Sequence, residues 1–425
     1  MLIDTLNPGE GVLFLSKNIM NVHEYILSHI DNTIRIPGKD DKNSFFKIPK
    51  PYTVPCENEG FVNFFYWDTY FTNFIFLINN RLEQAQNNLD VMAFFIDKLG
   101  YVPNADHLIF RSQPPVFIRG VYDLYQKCQS KDIIFRYLNQ MIREMDFFET
   151  ERNNELGLNN YSCHELKPGL ELYYEEFDRR LGSYSEQEKK IDKYELTKDL
   201  LAIAESGWDF NVRFKTENNR FAALKFAHVD LSSLIYDALI KLGEMLEIIN
   251  DPRATIFYKK AQEKKEAITK YLKDTSDGIY KDYNYIDKSF SQTISVASFY
   301  PYAFNIEKDK ESAIKLFNLL DYKYGLSVTP YRGENETYFQ WDYPSVWPTN
   351  VYFAYIALKN VGATKEAHIL KTKYLDLVDS VFQKTGKLWE KYDAIKGTVA
   401  VTNEYDTPSM LGWTAGVYEF LLQED

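Results

Sequence analysis

The sequence has little with which to build a disulfide framework or a metal centre. Its three cysteines, Cys56, Cys128 and Cys163, are odd in number and lack CxxC spacing, so buried free thiols are expected. His107, His164 and His228 show no ligand spacing, which leaves them structural or surface roles and no metal to hold. No run of about 18 apolar residues occurs, so no membrane partner is expected. The stretch Gly11-Val12-Leu13-Phe14-Leu15 is too short for the apolar part of a signal peptide, and a cytoplasmic location follows as the expectation. Lys and Arg total 49 against 61 Asp and Glu. That balance gives no excess of cations to displace counterions from a polyanion, which excludes nucleic acid as a partner. Strand-like alternation is scarce, and no linker rich in Gly, Ser or Pro divides the chain.

What is present is helical periodicity. Amphipathic stretches fall near residues 15–30, 64–81, 83–99, 113–129, 132–149, 229–248, 252–272, 310–320, 345–360, 363–383 and 409–423. Consecutive stretches are often joined by a few turn residues, such as Asn79-Asn80-Arg81-Leu82 and Asn250-Asp251-Pro252, which favours antiparallel helix pairs. The fold class is all-α. No sequence repeat of roughly 20 to 50 residues supports an open solenoid, so a closed helical toroid is preferred. With 45% hydrophobic residues, the chain can bury one large core, and residues 1–425 read as a single domain with an N-terminal extension around 1–50. The periodicity breaks at 55–68, 101–115, 158–175, 205–214, 325–347 and 388–406, which look like loops at one rim. The charged stretch 175–199 reads either as a solvated helix face or as a mobile flap over that rim.

Those breaks hold the chemistry. All six tryptophans, Trp67, Trp208, Trp341, Trp347, Trp389 and Trp413, lie in short segments that also carry carboxylates. Aromatic rings cover the C–H faces of a sugar, while Asp and Glu accept bonds from its hydroxyls and perform acid/base chemistry, so a small carbohydrate is the expected partner. The densest cluster is Glu205-Ser206-Gly207-Trp208-Asp209-Phe210-Asn211-Val212-Arg213, which makes Asp209 a candidate catalyst. Asn403-Glu404-Tyr405-Asp406 supplies a second carboxylate before the last helix. Two carboxylates flanking a bond suit glycoside hydrolysis, although among 61 acidic residues a pair alone is weak evidence.

The chain resembles the trehalases from about residue 50 to its C-terminus. The resemblance is carried by Tyr66-Trp67-Asp68-Thr69-Tyr70-Phe71, Arg111-Ser112-Gln113-Pro114-Pro115, Glu205 through Phe210 with Arg213 in register, and Gln340-Trp341-Asp342-Tyr343-Pro344 followed by Trp347. Glu390-Lys391-Tyr392, Glu404-Tyr405 and Gly412-Trp413-Thr414 correspond to the family's closing segments. The resemblance implies an (α/α)6 toroid and an inverting α-glucosidase that needs no cofactor, with Asp209 as general acid and Glu404 as general base. It also implies sugar-binding roles for Phe61, Trp67, Asp68, Asn104, Arg111, Gln113, Glu171, Trp208 and Trp341. Plainer roles exist for some: core packing for Trp67, a helix N-cap for Asp68, a structural ion pair for Arg111.

The pattern departs in two places. Trehalases carry arginines that hold the leaving-group sugar, and glycine stands there in this chain, at Gly60 and at Gly169. The glycine-rich run that serves the family as a lid is altered to Gly397-Thr398-Val399-Ala400-Val401-Thr402-Asn403. The expected substrate is therefore trehalose or a related small α-glucoside, with the same chemistry on another α-glucoside, such as a glucosylglycerate, kojibiose or sucrose, as the rival. A non-catalytic sugar-binding protein is the further alternative, and the retained Asp209 and Glu404 argue against it. A sugar epimerase would place histidines at the site, and the motifs do not contain them.

Overall fold

The protein is described by a computed structural model over residues 20–39, 44–164, 169–402 and 404–424. The Gly11–Leu15 expectation, the start of the 15–30 helix, Pro168 and Asn403 lie outside the described residues. Within them the chain forms fourteen helices: α1 Val22–His29, α2 Tyr66–Ile78, α3 Leu82–Leu99, α4 Phe117–Cys128, α5 Lys131–Glu151, α6 Leu170–Arg180, α7 Lys193–Glu205, α8 Val229–Ile248, α9 Ala254–Tyr271, α10 Tyr300–Ala303, α11 Lys310–Leu320, α12 Pro348–Asn360, α13 Thr364–Thr385 and α14 Gly412–Gln423.

Local chemistry sets the boundaries. The Asn21 side chain and Glu24 form a capping box on α1, and Asp192 and Asp309 accept the first free N–H groups of α7 and α11. Gly100 and Gly386 end α3 and α13 in the left-handed conformation. Two expected starts move inward. Pro114 and Pro115 supply no N–H and keep the residue before each extended, so α4 begins at Phe117 and not at residue 113. Ser345–Val346 pairs with Tyr392–Asp393 as a short antiparallel ladder, which delays α12 to Pro348.

Burial sorts the helices into layers. Residues Tyr66 through Phe76 of α2 are buried on every side, whereas α3 and α9 keep a polar face. Helices α2, α4, α8, α10, α12 and α14 touch in that order, and α14 returns to α2, closing an inner ring. Outside it α3 packs on α2 and α4, α5 on α4 and α8, α9 on α8, α11 on α12, and α13 on α12 and α14. Helix α1 completes the outer set, with His23 Nδ1 2.8 Å from Glu419 Oε1 of α14 and Tyr25 against Phe382 of α13. This is the (α/α)6 toroid. At the seam Gly416 of α14 lies so close to α2 that a Cβ there would fall 2.0 Å from the Phe71 carbonyl oxygen.

Helices α6 and α7 belong to neither ring. They pair with each other between α5 and α8, in the charged region expected to be a flap or a solvated face. Most side chains of 175–199 are exposed or half-buried, as a solvated face requires, and the stretch also reaches the cavity through Glu176, Arg179 and Arg180. Helix α7 buries Leu196, Leu200, Leu201 and Ile203, and α6 buries Leu170 and Phe177 at i and i+7 while its last residue, Arg180, enters the cavity described next.

Candidate active site

The loops preceding the inner helices converge on a cavity of about 520 Å³, lined among others by Phe61, Trp67, Asp68, Asn104, Gln113, Asp209, Trp341 and Glu404. All of these were expected at a sugar site. Their positions follow from a backbone lattice between loops. Asn104 carbonyl accepts from Tyr66 N–H at 3.2 Å and its own N–H donates to the Arg111 carbonyl at 2.8 Å, which ties the 101–115 loop to the start of α2. Gln113 Oε1 accepts the Trp67 N–H at 2.9 Å. Phe65, not Asp68, occupies the N-cap of α2, and Asp68 sits inside the first turn with its carboxyl at the cavity.

Three expected residues stand elsewhere. Trp208 is fully buried behind the wall, stacked at 5.6 Å on Trp341, which itself stacks at 3.6 Å on Trp347. The Arg213 guanidinium covers the Trp208 ring at 4.1 Å and is anchored by Asp230 at 2.7 Å, so this layer is rigid from behind. Arg111 is buried beside the cavity, 4.8 Å over the Phe110 ring, and its Nε and Nη1 have no hydrogen-bond partner. Burial pulls its pKa down, and among the described residues no carboxylate pairs with it. Glu171 is exposed and does not line the cavity, because α6 turns Leu170 and Phe177 inward and points the next position to solvent.

Glu205 shares the densest motif but is spent on structure. Its two oxygens accept from Arg152 at 2.9 Å, from Ser112 N–H at 2.9 Å and from Ser162 N–H at 2.7 Å, so the buried charge is fully paired.

The two remaining carboxylates meet across the cavity. Glu404 is held by Gln340, whose N–H donates to Oε1 at 3.0 Å, while the Gln340 side-chain amide donates to the Asp209 carbonyl. Gln340 thus fixes both residues at once, and Lys391 holds its Oε1 at 3.3 Å. Burial pushes the Glu404 carboxyl up to about 8, against the pull of the Arg180 cation and the Gln340 N–H. Deeper in, Asp68 is raised well above the usual carboxylate range by burial and by Glu390. Glu390 accepts from Tyr405 OH at 2.8 Å and pairs with Lys391 at 2.5 Å. Sequence reading left Gln340, Glu390, Lys391 and Arg180 out of the site. The first three stand inside matched motifs, and that adjacency was the available signal.

A sequence model of the Trehalase family matches residues 16–424. The chain belongs to the trehalase family. Its reaction class is that family's, glycoside hydrolysis. The periplasmic trehalase of Citrobacter koseri is 27% identical over 96% of this chain and 74% of its own length. The trehalase of Apis mellifera is 27% identical over 89% of this chain and 64% of its own length. In fold, the chain is similar to the neutral trehalase of Saccharomyces cerevisiae, with a TM-score of 0.71 at 22% identity, covering 88% of this chain and 73% of that one. The GH63 mannosylglycerate hydrolase of Thermus thermophilus gives a TM-score of 0.63 at 12% identity over 95% of this chain and 100% of that one. The cytoplasmic expectation is overturned by these relatives: those from Citrobacter koseri and Xanthomonas campestris are named periplasmic trehalases. No described helix is long and apolar enough to cross a membrane.

Proposed function

We propose that this trehalase-family chain hydrolyses trehalose with inversion, Asp209 acting as general acid and Glu404 as general base. The observation that carries the reading is that the two carboxylates line one cavity and share one hydrogen-bond donor. One nitrogen, Arg180 Nη2, reaches Asp209 Oδ2 at 2.7 Å and Glu404 Oε2 at 3.2 Å. Inversion requires a glycosidic oxygen on one carboxylate and an attacking water on the other, so both must lie free of that donor when substrate is bound.

In this reading the cavity floor takes the glucosyl unit whose bond is broken. Asp68, Asn104, Gln113 and Glu390 offer hydrogen-bonding groups, and Trp67 and Trp341 offer flat apolar surface. Arg111, buried beside the cavity with Nε and Nη1 unpartnered among the described residues, offers charged donors to that unit. Glu404 Oε1 is fixed by Gln340, so Oε2 is the oxygen that accepts a proton from water. The water oxygen bonds to the anomeric carbon from the face opposite the leaving group. The glycosidic C–O bond breaks, and the Asp209 proton goes to the departing oxygen. The Trp208–Trp341–Trp347 stack excludes competing water from that side.

Anomer-resolved NMR with trehalose tests this. Inversion gives equal amounts of α- and β-glucose in the first turnovers, one from each half of the disaccharide. Asp209→Asn and Glu404→Gln are each expected to slow release about 10²- to 10⁴-fold. Release of α-glucose alone, or full activity in either variant, would overturn the assignment.

A further inference from the structure

Asp209 and Glu404 cannot work in the arrangement just described while Arg180 stays where it is. Its Nη2 also donates to the Asp209 carbonyl at 3.2 Å, so one nitrogen holds the acid, the base and the backbone between them. Oδ2 of Asp209 cannot protonate a leaving group while it accepts from a guanidinium. Oε2 of Glu404, the oxygen not fixed by Gln340, cannot hold a water that the guanidinium displaces. Substrate entry must move this side chain.

Where it goes is constrained. Arg180 ends α6 and enters from the rim, with Phe210 4.9 Å and Tyr405 5.9 Å from its guanidinium carbon, so the planar fork slides between two rings. Among the described residues its Nε is buried without a partner. Arg111 is buried beside the cavity and outside its lining, and glycine stands at position 60 where the resemblance expects an arginine. A side chain at that position is both strained and crowded. Gly60 has φ +84°, and a Cβ there would lie 3.0 Å from Pro408 Cβ and 3.4 Å from Cys56 Sγ.

We propose that Arg180 is a specificity-determining residue that grips the leaving-group sugar: its guanidinium bridges acid and base in the free protein and transfers to hydroxyls of the outer ring when substrate enters. Helix α6 thus delivers from a different element the cation that Gly60 does not supply. This rests on the reaction assigned above. Bidentate N–H donation to vicinal hydroxyls also distinguishes a sugar leaving group from one without hydroxyls.

The test compares trehalose with α-glucosyl fluoride, which has the same glucosyl half and a leaving group with nothing for Arg180 to hold. In Arg180→Ala, kcat/KM for trehalose is expected to fall about 100-fold, chiefly in KM, as loss of charged hydrogen bonds predicts. For the fluoride it is expected to rise, because no guanidinium has to be displaced. Arg180→Lys should recover part of the trehalose loss. Parallel losses on both substrates would overturn the proposal and give Arg180 a role in the acid/base pair itself. No change on either would overturn it too. A wild-type protein active on both substrates isolates this result from the assignment of the reaction. If the wild-type protein left trehalose intact, that assignment would fail and this proposal with it.

Discussion

At the scale of single residues, the site runs on one buried carboxylate whose state depends on its surroundings. A general base must be ionised, and burial holds Glu404 protonated up to about pH 8, with Arg180 working the other way. Activity is therefore lost as pH falls through that value, and kcat/KM, which reports the free protein, should show an acid limb well above the ordinary carboxylate range of about 4. Arg180→Gln removes a positive neighbour and should move the limb further up. A pH–rate profile of kcat/KM for both proteins checks this; a limb near pH 4 would contradict the role given to Glu404. Much of this residue-level site was legible in the sequence, because aromatic–carboxylate motifs such as Tyr66-Trp67-Asp68 and Gln340-Trp341-Asp342 keep chemistry and spacing together. Glu171 was misplaced because its motif is broken by Gly169, which removes the anchor of the alignment. Arg180 was illegible: it lies in an acidic, charged run with no aromatic signal, and only the fold brings it 224 positions along the chain to Glu404.

At the scale of elements, the start of α2 organises its neighbours through one hydroxyl. Tyr66 OH accepts from Val116 N–H at 2.8 Å and Phe117 N–H at 2.7 Å at the head of α4, and donates to Glu144 of α5 at 2.7 Å. All three partners are buried, so a free N–H pair and a free carboxyl would follow its loss. Tyr66→Phe should cost about 1–3 kcal/mol of stability, read as a lower urea midpoint at unchanged m-value. The long inner and outer helices were readable because their apolar stripes recur at helical spacing. Helices α6 and α7 were not, since α6 buries only Leu170 and Phe177, and α7 carries Lys193, Glu195, Lys198 and Asp199 around its apolar run. The stripe there is interrupted by the charges that brought the region to notice.

At the scale of the whole molecule, the lack of a repeat points to a closed ring, and that ring is sealed by a contact that no sequence pattern announces. Gly416 of α14 meets the Phe71 carbonyl of α2, and any side chain there must push the first and last inner helices apart. Gly416→Ala is expected to destabilise the protein by about 1–3 kcal/mol or more, seen as a lowered Tm, with trehalose turnover falling less than stability. An unchanged Tm would mean that the seam is looser than described. The same seam sets an order of events. Helix α2 is apolar all round and finds its closing partner only in α14, which follows Ile78 by most of the chain. At about 5–20 residues per second of synthesis, that partner leaves the ribosome on the order of tens of seconds later. Until then the nascent ring has an open apolar flank, which is covered only when α14 docks on α2.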